Sequence, residues 1–543
     1  MGTQKSASQN LKKYTQDESI EELDMNIGIE VATNVIINTG SKNDTLNGKG
    51  YGNYGDYDNY ADVIGISNRG TINTGSGNDS INGEGQGLYS QGIGISNLGI
   101  INTGSGNDAL NGKGWGNYAA GIGISNLGII NTDSGNDSIN GEGYGDYSGG
   151  TGISNSGTIN TGSGNDTIIG TGQGAGIFRN STEGTGIFNS TTGIINAGSG
   201  NDSILGIGRG DDGIGIFNQG KINADAGNDE IKGIGIGEGA GGDATGILNS
   251  GTISGGAGND SIVGTGEGNL NIYGRGGDGT GISNTGQING DAGKDHIIGM
   301  GTGGEGGTYV ERHISDMGGT GIGIFNAGMI DGGDGDDLIL GIGKGGNGGN
   351  DEVPGGDGIG ISSSSDINGG NGNDVIKGIG VGGLGDSAAD GRGVGILNTG
   401  RIDAGNGRDE ISGYGTTVGI EGNGVHFVGI DGGAGNDYFK ARIIIGLDAQ
   451  DNPIESANQD GAIANIFING GNGNDIFDVG FGTAKLDGGK GFDTLILPVL
   501  GSGSYTIGTP DVDGWFQIMN SASTNVLSVS NIERILSGGN ILV

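Results

Sequence analysis

The chain contains no cysteine, which excludes disulfides, thiolate metal sites and a cysteine nucleophile and leaves the redox compartment open. Histidine is nearly absent: His296, His313 and His426 lie far apart, so an HExxH zinc site has no ligands, and neither a Gly-x-Ser-x-Gly elbow nor a P-loop occurs. Aromatic residues make up 5% and hydrophobic residues 31% of the 543 positions, too little for an ordinary globular core of that length. Basic residues are also few, 24 against 63 acidic ones, for a formal net charge of -39. That balance argues against nucleic acid and anionic membranes as partners and for cations or cationic surfaces. No continuous apolar run of the roughly 18 residues a spanning helix needs occurs, so no transmembrane segment is expected. Met1 to Leu23 also lacks an apolar run of signal-peptide length, so any export is expected to use a route without a cleaved N-terminal signal.

Glycine supplies 136 residues, and with only four prolines and no strict third-position period the chain is not collagen-like. The glycines belong to a repeat. One unit runs from Gly121 to Gly143, GIGISNLGIINTDSGNDSINGEG, marked by the Asn136-Asp137-x-Ile139 step. The marker aspartate recurs as Asp44, Asp79, Asp108, Asp137, Asp166, Asp202, Asp229, Asp260, Asp295, Asp337, Asp374, Asp409, Asp437, Asp475 and Asp493, at spacings of 27 to 42 residues until the last, which is 18. Such a period is the signature of a solenoid.

Aligned on the marker, the apolar residues keep fixed offsets: Ile64, Ile66, Ile72 and Ile81 about Asp79, and Ile122, Ile124, Ile130 and Ile139 about Asp137. The Ile-Gly alternation has the two-residue period of a strand, β-branched Ile suits a pleated surface, and the glycine density excludes helix. The expected fold is all-β: a right-handed parallel β-solenoid of the β-roll or β-helix kind, with irregular 27–42 residue coils of two or three strands of three to five residues, and a small C-terminal β cap. Asn-x-Gly steps such as Asn155-Ser156-Gly157 make one corner, where a left-handed backbone is expected, and the Gly-x-Gly-Asn-Asp segment makes another. With about 4.8 Å per coil the rod spans roughly 65 to 70 Å.

Residues 1–30, including SIEELD at Ser19 to Asp24, read as a polar or partly helical N-terminal cap, 31–495 as the repeat array, and 496–543 as a C-terminal cap that loses the period and gains apolar residues. Length variation falls after the fixed part of each unit, so the insertions at 303–319, 343–357 and 381–392 are expected as loops on one edge, where solenoids often bind partners. Tyr51, Tyr54, Tyr57 and Tyr60 fall in a similar segment, read as a cover for the rod or as a carbohydrate or surface contact. Glu311, Arg312 and His313, the one mixed ionisable cluster, read as a solvated loop.

Six units carry the fuller form Gly-Gly-x-Gly-x-Asp-x-apolar, at Gly255–Ile262, Gly332–Ile339, Gly369–Ile376, Gly432–Phe439, Gly470–Phe477 and Gly488–Leu495; the earlier units, such as Thr74 to Asp79, relax the first Gly. This pattern resembles the RTX, or hemolysin-type, calcium-binding repeats of secreted bacterial and cyanobacterial surface and matrix proteins. The resemblance implies several Ca²⁺ ions held between turns by Gly-rich carbonyls and by the carboxylates of Asp260, Asp337, Asp374, Asp409, Asp437, Asp475 and Asp493, with Asp79, Asp108, Asp137 and Asp166 as further ligands. It departs from the usual 18-residue roll, since only the Asp475–Asp493 spacing matches and the other edge has Asn-x-Gly corners without Asp. Calcium along one edge only, or only near the C-terminal end, is one reading; a metal-free Asn-Asp hydrogen-bonded turn is the other. The Asn531-Ile532-Glu533-Arg534-Ile535 segment after Tyr505-Thr506-Ile507 resembles the closing module of type I exported proteins. The expected function is therefore a secreted calcium-binding structural or cell-surface protein, extracellular and not an enzyme, with surface polysaccharide or a second copy of the chain as further partners. The alternative is a carbohydrate-active or adhesive solenoid whose site lies in the inserted loops.

Overall fold

The computed structural model describes residues 19–24, 26–52, 61–174, 183–271, 274–307, 317–349, 353–385, 389–424, 429–501 and 503–543. Tyr54, Tyr57, Tyr60, Glu311, Arg312, His313 and His426 lie outside them, whereas Tyr51 ends the strand Thr45–Tyr51. Every regular element among the described residues is a strand. The fold is an all-β, right-handed parallel solenoid with coils of unequal length. One coil is Gly92–Asn97, Ile100–Ser105 and Ala109–Gly116; the next is Gly121–Asn126, Ile129–Asn131 and Ser138–Gly145. Corresponding strands pair in parallel and in register, Ile95 with Ile124, Ile101 with Ile130 and Leu110 with Ile139, giving three ladders along the rod. The coils thus have three strands, often of six to eight residues, longer than the sequence pattern suggests, because the Gly-x-Gly tails such as Gly112–Gly116 continue the third strand.

Two kinds of interior alternate across each coil. At one end three aliphatic side chains meet, for example Ile124, Ile130 and Ile139, all fully buried, and their columns run the length of the array. At the other end the first and third strands approach until only backbone separates them: a Cβ on Gly112 would lie 2.2 Å from the Gly123 carbonyl oxygen, and one on Gly123 would lie 2.2 Å from the Glu142 nitrogen. The cross-section therefore tapers from an isoleucine triangle to a glycine seam, and the seam accounts for the alternating glycines of both strands. The corner after the first strand is held by a buried side-chain column. Asn68, Asn97, Asn126 and Asn155 each donate from Nδ2 to Oδ1 of the next, at 2.7 to 2.9 Å. Neither these asparagines nor glycines such as Gly157 have the expected positive φ, because the amide ladder makes that corner; left-handed backbone is confined mainly to the Gly-x-Gly turn before each marker.

The described parts of the long insertions are packed rather than freestanding. In the coils between 268 and 392 the chain continues beyond the third strand in extended segments with a three-residue period. Gly276 and Gly277, Gly303 and Gly304, Gly318 and Gly319, and Gly355 and Gly356 are buried while Arg275, Thr302, Met317 and Asp357 between them are exposed. That is the period of polyproline II. The segments bond to one another through backbone groups, Gly304 N–H to Gly277, Gly319 to Gly304, Gly346 to Gly319, Gly356 to Gly346 and Gly383 to Gly356, at 2.8 to 2.9 Å. A Cβ on Gly319, Gly346, Gly356 or Gly383 would come to 1.9 Å from a carbonyl oxygen of a neighbouring segment. In earlier, shorter coils the same edge carries Tyr89, Tyr118 and Tyr147, stacked with centroids 5.2 and 4.8 Å apart.

At the N-terminal side Ser19–Asp24, within the segment read as a polar or partly helical cap, is a strand paired in parallel with Thr45–Tyr51 and not helical. At the other end Tyr505–Ile507, Phe516–Asn520 and Val526–Ser530 form an antiparallel meander. Val526–Ser530 then pairs with Phe481–Asp487, and Arg534–Ser537 with Thr494–Leu497.

The seam predicts that Gly112→Ala lowers thermal stability markedly, overpacking of this kind costing about 1–3 kcal/mol. Gly424→Ala, with no atom of the described residues within 4 Å of the added methyl, should leave the melting temperature of the same chain within experimental error in a calorimetric comparison.

Candidate metal centre

The turn between the second and third strands is where the repeat is most uniform. Gly75 and Gly77 take φ of 105° and 126°, which only glycine adopts freely, and the chain then runs into Asn78 and buried Asp79. Asp133, Asp225 and Asp291 replace the first of these glycines at φ of 66°, 73° and 75°, a region short polar side chains tolerate. Each Asn-Asp pair ties its coil to both neighbours. Asn78 Oδ1 accepts the N–H of Asn107 in the following coil, at 3.0 Å, whereas Asp79 Oδ1 accepts the N–H of Asp44 in the preceding coil, at 2.8 Å. The aspartate pattern continues at 2.7 to 2.9 Å through Asp260, Asp295, Asp337, Asp374, Asp409, Asp437 and Asp475 to Asp493. There Glu533 takes over, its carboxylate accepting from the N–H of Asp493 at 2.7 Å.

All eleven aspartates singled out from the sequence, Asp79, Asp108, Asp137, Asp166, Asp260, Asp337, Asp374, Asp409, Asp437, Asp475 and Asp493, therefore stand in one buried file along one edge. Asp44, Asp202, Asp229 and Asp295 stand in it too. Their second carboxylate oxygen is another matter. Oδ2 of every one from Asp79 to Asp493 is buried without a hydrogen-bond partner among the described residues. Its surroundings are set by the residue five positions earlier. At Gly332 a Cβ would lie 2.3 Å from the Gly369 carbonyl oxygen and 2.8 Å from Asp337 Oδ2; at Gly290 it would lie 2.3 Å from the Gly332 carbonyl oxygen and 2.7 Å from Asp295 Oδ2. The slot thus gathers a carboxylate oxygen of one coil and a carbonyl oxygen of the next. Both are acceptors.

Burial is the main cause of the raised pKa values along the file, and the backbone N–H bond to Oδ1 offsets it only in part. It holds Asp202, Asp295, Asp374 and Asp437 up at about 7 and Asp137, Asp229, Asp409 and Asp493 at about 6, with neighbouring carboxylates of the file adding to the rise at most of them. Asp79, Asp166, Asp260, Asp337 and Asp475 are raised for the same first reason. Like charges about 4.8 Å apart repel by roughly 3–4 kcal/mol per adjacent pair at an effective dielectric of 20. A file of bare carboxylates is therefore costly at neutral pH, and a proton or a cation relieves that cost. The donor set, one carboxylate oxygen and carbonyl oxygens with no nitrogen or sulfur, fits a hard divalent ion. Among the described residues no three His, Cys, Asp or Glu side chains converge as a metal cluster, so a slot holds one carboxylate and depends on backbone oxygens. Acids elsewhere are differently placed. On the outer side of the second ladder Asp291, Asp331 and Asp334 line a groove of about 320 Å³, where Asp331 and Asp334 accept from Asn368 and Asn371 at 2.9 and 2.7 Å.

Two parts of the site carry only a faint signal in the sequence. Glu533 ends the file, and its segment resembles a closing module without marking that role. The residue five positions before each marker shapes the slot, and its signal was the change from TGSGND to GGAGND along the repeats. Among solved structures there is a likeness to the "X-ray crystal structure of a hyperactive, Ca2+-dependent, beta-helical antifreeze protein from an Antarctic bacterium", 18% identical, covering 83% of this chain and 90% of that one, with a TM-score of 0.37. No family model matches the chain, and no curated protein does. Among the described residues no helix is long and apolar enough to cross a membrane.

In buffer free of divalent cations the raised carboxyls bind more protons folded than unfolded between pH 4 and 7, so their contribution to stability is full below about pH 4 and is lost as the pH rises through 6 to 7. Denaturant midpoints measured at pH 5 and pH 8 should therefore show the metal-free protein more stable at pH 5, and a flat or rising profile would contradict the burial of the file.

Proposed function

We propose that the chain is a calcium-binding structural rod that works outside the cell or on its surface, with the ions held along the edge that carries the aspartate file. The observation behind this reading is the buried Oδ2 without a donor, repeated coil after coil in a slot otherwise lined by carbonyl oxygens. A Ca²⁺ ion accepts six to eight oxygens in irregular arrangements, whereas Mg²⁺ demands a tighter octahedron and keeps its waters. Asp260, Asp337, Asp374, Asp409, Asp437, Asp475 and Asp493 would supply the charged ligand, and carbonyls such as those of Gly290 and Gly369 the neutral ones. The ion would neutralise the file and join adjacent coils, so that binding and folding are one process. With a single carboxylate per slot the affinity falls toward the range of about 10⁻⁴–10⁻³ M found for extracellular calcium modules, which supports an extracellular setting.

The resemblance to RTX repeats and to a type I export segment within 496–543 supports the same reading, as does the acidic composition. On this reading 1–30 and 496–543 cover the two ends of the array, and the rod is a scaffold without catalytic function. Its outer partners would be surface polysaccharide or other copies of the chain. An adhesive or carbohydrate site in the inserted segments has no comparable observation behind it, since their described parts pack on one another through glycine.

Far-UV circular dichroism of chelator-stripped protein at pH 7.5, titrated with Ca²⁺ and separately with Mg²⁺, tests the proposal. The larger part of the β signal should be lost in chelator and return with Ca²⁺ but not with equal Mg²⁺. Full β structure in chelator together with no bound Ca²⁺ by equilibrium dialysis would defeat it.

A further inference from the structure

We infer that the aspartate file is divided into two blocks and that only the second takes Ca²⁺: in the first five coils a threonine hydroxyl occupies the slot, and from Asp202 onward alanine or glycine leaves it open. This rests on the calcium reading above and adds where along the rod the ions go.

The residue five positions before the marker is Thr39, Thr74, Thr103, Thr132 and Thr161 in the first five coils. It is then Ala197, Ala224, Gly255, Gly290, Gly332, Gly369, Ala404, Gly432, Gly470 and Gly488 in the next ten. The change is made once and not reversed. All these residues are buried on the inner side of the turn. In the glycine coils the space a side chain would take is bounded by the marker Oδ2 and the next coil's carbonyl, as around Gly255 with Asp260 Oδ2 at 2.7 Å and Gly290 O at 2.9 Å, and in the coils of Ala197, Ala224 and Ala404 a methyl stands there with no hydroxyl or γ carbon beyond it. In the threonine coils the hydroxyl stands between the same two kinds of oxygen. Thr39 donates to Asp44 Oδ2 at 2.6 Å, with the Thr74 carbonyl at 3.1 Å. The hydroxyls of Thr74, Thr132 and Thr161 turn to the next coil's carbonyl, at 3.0, 2.9 and 2.6 Å, leaving Oδ2 of the marker without that donor. They remain close enough to the marker carboxyls of Asp79, Asp137 and Asp166 to favour their charged form. Only one proton is available for two acceptors, and it lies where the open coils have none.

Threonine thus does two things that exclude the ion. Its γ carbon and oxygen fill the slot, and its hydroxyl engages one of the two oxygens an ion would use, the marker Oδ2 at Asp44 and the next coil's carbonyl at Thr74, Thr132 and Thr161. Alanine and glycine do neither. Because a solenoid's stability is close to a sum of coil and junction terms, two blocks with different requirements can coexist in one rod.

Hydrogen exchange of the full chain, followed by mass spectrometry at pH 7.5 in 1 mM Ca²⁺ (a value at the extracellular end of about 10⁻³ M) and in chelator, tests the division without any substitution. Peptides within 71–163 should keep their protection in chelator, while those within 261–437 should lose it by on the order of 100-fold. Loss in both blocks together would overturn the inference and leave the calcium reading standing; unchanged protection in both, with no bound Ca²⁺, would remove the calcium reading itself. Equilibrium dialysis adds a second measure. The wild-type chain should bind no more ions than its ten open slots allow, Thr132→Gly should raise the number, and Gly332→Thr should lower it. A count near one per marker aspartate, unmoved by Thr132→Gly, would overturn the division even if Gly332→Thr failed to fold.

Discussion

Everything in this fold follows from one constraint: each residue of a coil has its own counterpart directly above and below, about 4.8 Å away. Whatever a position carries, it carries as a column. Isoleucine profits, because Ile95, Ile124 and Ile153 stacked in register exclude water from a column that no single coil could dry. Asparagine profits too, since its amide is both donor and acceptor and Asn97 and Asn126 complete one another. Aspartate is the residue for which stacking is costly. It accepts and does not donate, and it repeats its charge at the same spacing. The repeat nonetheless keeps it buried in every unit, using Oδ1 for the ladder and leaving Oδ2 to be dealt with by something else.

Glycine serves three distinct ends in this molecule, and the overall count conceals them. At Gly75 and Gly77 it permits a left-handed turn. At Gly112 and Gly123 it lets two strands meet backbone to backbone. At Gly332 and Gly369 it keeps open a space beside a carboxylate. The first is a matter of dihedral freedom and the other two are matters of room, so a substitution at each would fail for a different reason.

Much of this could be read from the chain alone. The fixed offsets of Ile122, Ile124, Ile130 and Ile139 from Asp137 determine a parallel array in which like lies on like, and that is what is found. The marker aspartates were legible as one set because a strict spacing within each unit must place them on one edge. Strand lengths were less legible, since Gly-x-Gly tails look like loop until their partner strand is known. The corner at Asn155 to Gly157 suggested a left-handed turn because Asn and Gly permit one, but the side-chain ladder from Asn126 to Asn189 does the work instead. The packed glycine layer from 268 to 392 was hidden for a similar reason. Its three-residue period is visible in GGEGG or VPGGDG, yet its bonds join segments that are tens of residues apart. Glu533 could not be assigned a place in the file because nothing local marks it; it matters only as the residue that lies one coil beyond Asp493.

The buried amide column that begins at Asn68 does not run unbroken. Asn326 reaches Ser363 Oγ at 3.2 Å, and Ser363 turns its own hydroxyl to the Ser365 carbonyl at 2.9 Å, so nothing in that column passes from Ser363 to Asn398. Under tension along its axis a stack of coils bears the load in series, each junction carrying the whole force. The strength of such a rod is set by its weakest joint, and between Asn68 and Asn398 the joint between the coils of Ser363 and Asn398 is the one whose corner column carries no side-chain tie.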